Sequence, residues 1–162
     1  MSAKPKKKNS VSDGTKVICE NRKARHDYTV LETVECGIML CGSEVKSLRC
    51  GRCSLNEAYA KVKEGEVWLL GCDIQEYVEA NRLNHKPKRP RKLLLHQREI
   101  RKMGTKAAAK GLTLVPLRMY FSKSGYAKVL LGVCQGKQKQ DKRQALREAD
   151  TQKRLRRFKQ TF

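Results

Sequence analysis

The sequence predicts a mainly β fold: a small barrel of the OB-like sort, made of about six short strands and two helices, with basic tails. Three observations predict it. Tyr28, Val30, Val34, Cys36, Ile38 and Leu40 fall on one parity, broken at Glu32, which is the period of a half-buried strand. Tyr59 to Asp73 reads as a hairpin turning at Glu64-Gly65, with Trp68 on its second arm. No alternation of strands with long helical patterns appears, so a doubly wound parallel sheet is disfavoured.

The elements follow in order. Residues 1–16 are lysine-rich and aperiodic, as a disordered basic arm would be. The strand that starts at Tyr28 is expected to turn near Glu35-Cys36-Gly37. Gly42 to Arg49 is a short helix candidate, with Ser43 as N-cap, Glu44 in the first turn and Gly51 as the stop. Residues 81–92 read as an exposed basic loop. In Leu93 to Lys110, Leu93, Ile100, Met103 and Ala107 share one helical face, and Gly111 ends the helix. Leu112 to Phe121 and Tyr126 to Val133 are two strands across Ser122-Lys123-Ser124-Gly125, with an edge or bulge at Pro116. In Gln135 to Phe162, Asp141 can cap a helix with Gln144 three residues on. The apolar residues there are too scattered to offset the ordering entropy, so the tail is expected to be disordered alone and helical on an anion. The organisation predicted is an arm over 1–16, a barrel over 17–134 and a tail over 135–162.

The 162 residues hold 37 Lys and Arg against 16 Asp and Glu, a net charge of +21. Residues 82–106 hold ten basic side chains and one acidic, and residues 135–162 hold ten and three. Residues 26–81 hold five and ten. Basic elements on a near-neutral body suit a contact that wraps a polyanion. Nothing approaches a transmembrane span, and no apolar run follows the basic N-terminus as in a secretory signal. The seven cysteines are odd in number, which fits reduced thiols and a cytoplasmic location. Cys50-Gly51-Arg52-Cys53 is a C-x2-C pair, but no second pair of that spacing accompanies it. Small residues in or near a β-core are favoured over a zinc site, which stays a rival reading.

Catalytic motifs are wanting. Gly132 to Gln138 is one residue short of a phosphate loop and lacks its Ser or Thr. His26, His85 and His96 belong to no metalloprotease or nucleophile motif. The expectation is therefore no enzyme, no cofactor and no metal. The stretch Arg82 to Lys92 is dense in cations, and its prolines keep it extended, as backbone binding to a nucleic acid requires. A small barrel holds RNA by shape, stacking and phosphate contacts more readily than it reads a DNA major groove. Tyr28, Tyr59, Trp68, Tyr77, Tyr120 and Tyr126 could stack on bases, although most suit a core or hairpin role.

Six segments in order carry a closer resemblance: Asn21 to Tyr28, Gly42 to Arg49, Asn81 to His85, Arg91 to His96, Gly111 to Leu117, and Asp141-Lys142-Arg143. From about Val17 to the end, the chain resembles the small protein B family, the SsrA-binding proteins that partner transfer-messenger RNA in bacteria. The resemblance implies a six-stranded OB-like barrel with two or three packed helices and disordered basic N- and C-terminal tails. It implies a non-enzymatic, cytoplasmic factor that binds the tRNA-like domain and delivers it to stalled ribosomes, as a monomer on the RNA and away from membranes. The RNA-binding residues it implies, together with the basic stretches, are Arg22, Lys23, Arg25, His26, Glu35, Arg82, Asn84, His85, Arg91, Lys92, Leu94 and His96. Glu35 would follow the first strand. The tail would enter the vacant mRNA channel and fold by the small-subunit decoding centre, through Gly136, Lys137, Asp141, Lys142, Arg143, Leu146, Arg147, Leu155 and Phe158. Gln135 and Gln140 depart from the lysine and the aromatic or His common at those places. The rival reading is a structural ribosomal or general RNA-binding protein without that selectivity.

Overall fold

The computed structural model describes residues 15–80, 84–109, 111–137 and 151. Most of the predicted arm, Arg82, and the tail residues Asp141, Lys142, Arg143, Leu146, Arg147, Leu155 and Phe158 lie outside the described residues.

The elements are β1 (Lys16–Glu20), α1 (Arg22–Asp27), β2 (Tyr28–Ile38), α2 (Gly42–Arg49), β3 (Cys53–Ser54), β4 (Tyr59–Lys63), β5 (Glu66–Leu70), β6 (Asp73–Ile74), β7 (Arg91–Leu94), α3 (Gln97–Ala108), β8 (Leu112–Phe121) and β9 (Ala127–Gly136). Six strands close a ring in the order β8-β4-β5-β7-β2-β9, with β9 returning to β8. Every pairing is antiparallel, β1 adds to β8 beyond β4, and β3 pairs with β6 apart from the ring. The predicted mainly β barrel of six strands with packed helices is the observed architecture.

Two bulges divide the apolar residues into two clusters. The β2–β9 register shifts between Val30 and Glu32, and the β8–β9 register shifts between Pro116 and Arg118. An extra residue flips the faces of a strand. Val34, Cys36 and Ile38 thus face the barrel core, with Leu69, Leu93, Leu114, Met119 and Leu131. Tyr28 and Val30, of the same parity, pack instead with Ala24, Val115, Leu117 and Cys134 in a second cluster beneath α1. This explains the break in alternation at Glu32. Gly132 is needed where the layers meet: a Cβ there would lie 2.9 Å from Leu117 Cδ1.

Several local expectations are corrected. No hairpin forms at Glu35-Cys36-Gly37, because β2 runs on to Ile38, paired with β9 as far as Gly37 and with β7 at Gly37 and Ile38. Leu93 belongs to a strand, since Arg91 and Leu93 alternate inward with the period of β7, and α3 starts only after His96. Cys41, not Ser43, caps α2, and Glu44 at the third helical position accepts from the Cys41 N–H at 2.8 Å. Residues 91–92 leave the predicted exposed loop for β7. β1 and α1 gave no alternating or helical signal long enough to read. The β4–β5 hairpin turns at Glu64-Gly65 as expected, with positive φ at both residues (52° and 74°), as a tight hairpin demands. Among the described residues no helix is long and apolar enough to cross a membrane.

Glu44 is fully buried. Its Oε1 accepts from Arg89 Nε at 2.7 Å and from Arg91 Nε at 2.8 Å, and its Oε2 from the second terminal nitrogen of Arg89 at 2.6 Å. Arg91, also fully buried, donates in addition to the Cys72, Arg89 and Pro87 carbonyls at 2.6, 3.2 and 2.8 Å. A buried ion pair holds only when its spare donors are satisfied, as here. Burial opposes ionisation of Glu44. The Arg89 hydrogen bond, the Cys41 N–H and Arg91 outweigh it and hold the carboxyl below its ordinary 4.5.

Glu44→Ala leaves the Arg91 charge buried without its partner and is expected to cost about 3–5 kcal/mol, read from the denaturant midpoint. Because the folded pKa of Glu44 is depressed, its contribution is complete above its ordinary 4.5 and is lost as pH falls through the folded value. Glu44→Gln should therefore flatten the acid limb of the stability–pH curve. A limb as steep as that of the parent would contradict this.

Candidate nucleic-acid interface

The site begins with two devices that aim side chains outward. Asn21 is buried and fully engaged: its side chain accepts from the Ala24 N–H at 2.9 Å and donates to the Leu55 carbonyl at 2.8 Å, and its own N–H donates to Leu117 O at 2.8 Å. This caps α1 and seats Ala24 on the outer cluster. Arg22, Lys23, Arg25 and His26 are left exposed. The second device is the β7–α3 junction. His96 caps α3, with its N–H donating to Glu99 Oε2 at 3.0 Å, and its ring is exposed. Leu94 lies opposite Gly37 of β2 and stays half exposed, while the neighbouring Leu93 enters the core.

Glu35, Leu94 and His96 meet in one cleft of about 640 Å³, lined also by Thr33, Val34, Gly37, Leu95, Glu99 and Lys128. Glu35 lies inside β2 and not after it, which corrects its expected place. Its carboxylate accepts from Lys128 Nζ and from the Tyr120 hydroxyl. The Lys128 bond first, then the Tyr120 hydroxyl, lower its pKa against the opposing effect of burial, so the group is ionised at neutral pH. Tyr120 is pushed the other way, by burial first and then by the adjacent Glu35, and stays a neutral donor.

A second depression, lined by Arg25, Tyr28, Thr29, Val30, Leu117, Leu130 and Lys137, shares Thr33 with the first. The two run on from each other along β2. One end holds α1 and the start of the chain's last segment, where the Lys137 N–H donates to Asp27 O at 2.9 Å and Lys137 Nζ to Arg25 O at 3.2 Å. Gly136, opposite Tyr28, ends β9 there. The other end holds the Glu35–His96 cleft. The surface offers flexible cations, a fixed carboxylate, an exposed leucine and an imidazole. These are groups for phosphates, for a base edge or 2′-hydroxyl, and for apolar or stacking contact.

Other expected contacts are built into the fold. His85 is buried: its Nε2 donates to Ile74 O at 3.0 Å, so its Nδ1 accepts from the Ser43 hydroxyl at 2.9 Å. Asn84 clamps Tyr77, accepting from its N–H at 3.1 Å and donating to its carbonyl at 2.7 Å. Arg91 is held by Glu44, and Lys92 is half buried and paired with Glu66. The expectation that His85 and Arg91 reach RNA is thereby corrected, since neither has a free donor face outside. Among the aromatic candidates Tyr120 is buried, whereas Tyr59 and Tyr126 are exposed. Sequence reasoning missed Lys128 and the Tyr120 bond as partners of Glu35. Their only signal is the β8–β9 hairpin, whose register sets Tyr120 opposite Lys128. Among the described residues no group of three or more His, Cys, Asp or Glu is arranged to hold a metal ion.

The SmpB protein family model matches residues 18–161. The chain belongs to the SmpB family. An SsrA-binding protein of Levilactobacillus brevis is 55% identical over 148 residues, covering 90% of this chain and 94% of that protein. One of Symbiobacterium thermophilum is 56% identical over 134 residues, covering 82% and 85%. A solved SmpB chain, from work on tmRNA-SmpB at the center of the bacterial ribosome, superposes with a TM-score of 0.65 at 48% identity, covering 80% of this chain and 94% of that one. The six-stranded ring described above is thus the architecture of an SmpB-family protein.

Glu35 is about half exposed, so its pair with Lys128 is screened by solvent. Glu35→Gln keeps an acceptor for Tyr120 and is expected to change unfolding free energy by less than about 1 kcal/mol. A loss of several kcal/mol in a denaturant titration would make Glu35 a structural residue.

Proposed function

We propose that this chain binds the tRNA-like domain of transfer-messenger RNA and delivers it to stalled ribosomes for trans-translation, the rescue that tags incomplete polypeptides. The observation that carries the reading is the convergence of Glu35, Leu94 and His96 in one cleft continuous with the α1 cations, in a chain of the SmpB family. The SsrA-binding relatives support it. In this reading the protein works by recognition and not by catalysis, in the cytoplasm, as a monomer on the RNA.

Each group has a task. Arg22, Lys23, Arg25 and His26 take phosphates along one side of the RNA, and Arg82 adds a further cation. Glu35 accepts from a base N–H or a 2′-hydroxyl, which no lysine can do. Lys128, released from Glu35, turns to a phosphate, so that binding exchanges one ion pair for another. Leu94 and the His96 ring pack on a ribose or base. The segment that leaves β9 at Gly136 and Lys137 starts beside α1. From there the tail, with Asp141, Lys142, Arg143, Leu146, Arg147, Leu155 and Phe158, enters the mRNA channel and folds at the decoding centre. Its net charge of +7 over residues 135–162 suits a channel walled by RNA phosphate.

The test is competition at one physiological salt concentration, because salt dependence alone cannot separate a selective reader from a general polycation. Labelled tRNA-like domain should be displaced by unlabelled transfer-messenger RNA far better than by elongator tRNA or an unrelated hairpin. Equal competition by all three would favour the general RNA-binding reading. Glu35→Lys and His96→Ala should each weaken the complex about tenfold or more, the loss of a charge-assisted hydrogen bond or a stacking contact, with the fold retained by circular dichroism. Lys142→Glu with Arg143→Glu should spare RNA affinity and abolish tagging in a reconstituted translation assay. Equal loss of both activities would refute the division between barrel and tail.

A further inference from the structure

Four sulfur atoms gather where β1 passes β3. Cys19 Sγ lies 3.2 Å from Cys53 Sγ, and Met119 Sδ lies 4.0 Å beyond Cys53. Cys72, wholly buried, lies near enough to Cys53 for the two thiols to interact. Cys19 and Cys53 are half buried and free. Nothing in the proposed RNA function uses these thiols.

We infer that Cys19 and Cys53 form a redox modification site that a peroxide closes to an intramolecular disulfide. The sulfurs need to approach by only about 1 Å to reach the disulfide length of about 2.05 Å. The chemistry balances in two steps. Peroxide transfers one oxygen to the first thiol, giving a sulfenic acid and releasing water. The second sulfur then attacks that sulfur, hydroxide leaves, and the displaced proton converts it to a second water. Two thiols are oxidised by two electrons, and one peroxide is reduced.

The position gives the bond a consequence. Two residues after Cys19, the Asn21 side chain donates to the carbonyl of Leu55, two residues after Cys53. Both links join residues 34 apart in the chain. A disulfide would reinforce the hydrogen bond that seats α1, and would fasten β1, otherwise held by β8 alone in the main sheet. A cross-link over a loop of this length raises stability chiefly by restricting the unfolded chain. In a reducing compartment the bond would form under peroxide and be removed by thiol exchange.

The experiment uses the full chain with the two exposed thiols removed, Cys41→Ser and Cys50→Ser. Protein is exposed to hydrogen peroxide, quenched, alkylated and digested with trypsin without reductant. The expected product joins peptide Val17–Arg22 to peptide Cys53–Lys61, two hydrogens lighter than their sum. The melting temperature should rise by about 5–10 °C, and dithiothreitol should reverse both effects. Adding Cys19→Ser should abolish both. Full alkylation of Cys19 and Cys53 after peroxide would overturn the inference, as would a bond of Cys53 to Cys72 or links between chains. Thiols shielded from alkylation until a chelator strips a soft metal ion would overturn it too. A joined pair with an unchanged melting temperature would overturn the stabilising role.

Discussion

The placement of the cleft that holds Glu35, Leu94 and His96 depends on a buried carboxylate. Glu44 joins α2 to two arginines from the segment that leads into β7, and Arg91 joins that segment in turn to the Cys72 and Pro87 carbonyls. Arg91 is the first residue of β7, so anchoring it sets the phase of the strand. Leu93 then faces the core and Leu94 faces solvent beside Gly37. Two residues on, His96 starts α3. A one-residue slip would exchange the inward and outward sets of β7. It would bury Leu94, expose Leu93 and carry His96 off the cleft. The network is thus a register device whose effect is felt at the cleft between β2 and the start of α3.

The bulges do comparable work on the other side of the cleft. Without the extra residues in β2 and β8, one cluster would have to take every apolar residue of those strands. With them, Tyr28, Val30, Val115 and Leu117 form a second, smaller floor on which α1 rests through Ala24. Each basic residue of α1 can then face solvent, because one small residue and the Asn21 cap suffice to hold the helix. A six-residue helix has almost no stability of its own. Its geometry is borrowed from the barrel, and this explains why a run as polar as Arg22 to Asp27 is ordered.

How much of this the sequence discloses follows from the range of the interactions. Strand alternation and tight turns are local, and so the β4–β5 hairpin, the β8–β9 pair with its Pro116 irregularity, and the Gly111 stop were legible. Bulges are set by pairing with a distant strand, so Glu32 looked like a flaw in the pattern and not its consequence. Arg91 was misread because a run of cations looks solvated until its counter-charge, 47 residues earlier, is known. His85 was misread for the same reason, since Ser43 and Ile74 engage both its nitrogens. Glu35, Leu94 and His96 came from resemblance and not from periodicity. Nothing in the one-dimensional pattern brings residue 35 to residue 96, which the β2–β7 pairing does.

Charge is sorted within the barrel by the same logic. The acidic residues of the body are largely engaged with lysines or arginines of other elements: Glu20 with Arg118, Glu32 with Lys102 and Lys106, Glu66 with Lys92. These exposed or half-exposed pairs add little stability in water, because solvent screens them. Their effect is rather on what remains. They neutralise much of the body, so that the excess of positive charge rests on α1, where Arg22, Lys23 and Arg25 are exposed, and on residues 135–162, with ten basic side chains against three acidic. Glu35 is paired in the same way, with Lys128, but its carboxylate opens on the cleft. It lines the cleft with Lys128, His96 and Glu99 and is kept ionised by Lys128 and Tyr120. A phosphate would be repelled there, whereas a hydroxyl or amino group would be accepted. A face that attracts backbone along its length and admits only a donor at one point selects by position as well as by charge. In the proposed function that combination, more than the net charge of +21, is what would separate a reader of one RNA shape from a general polycation.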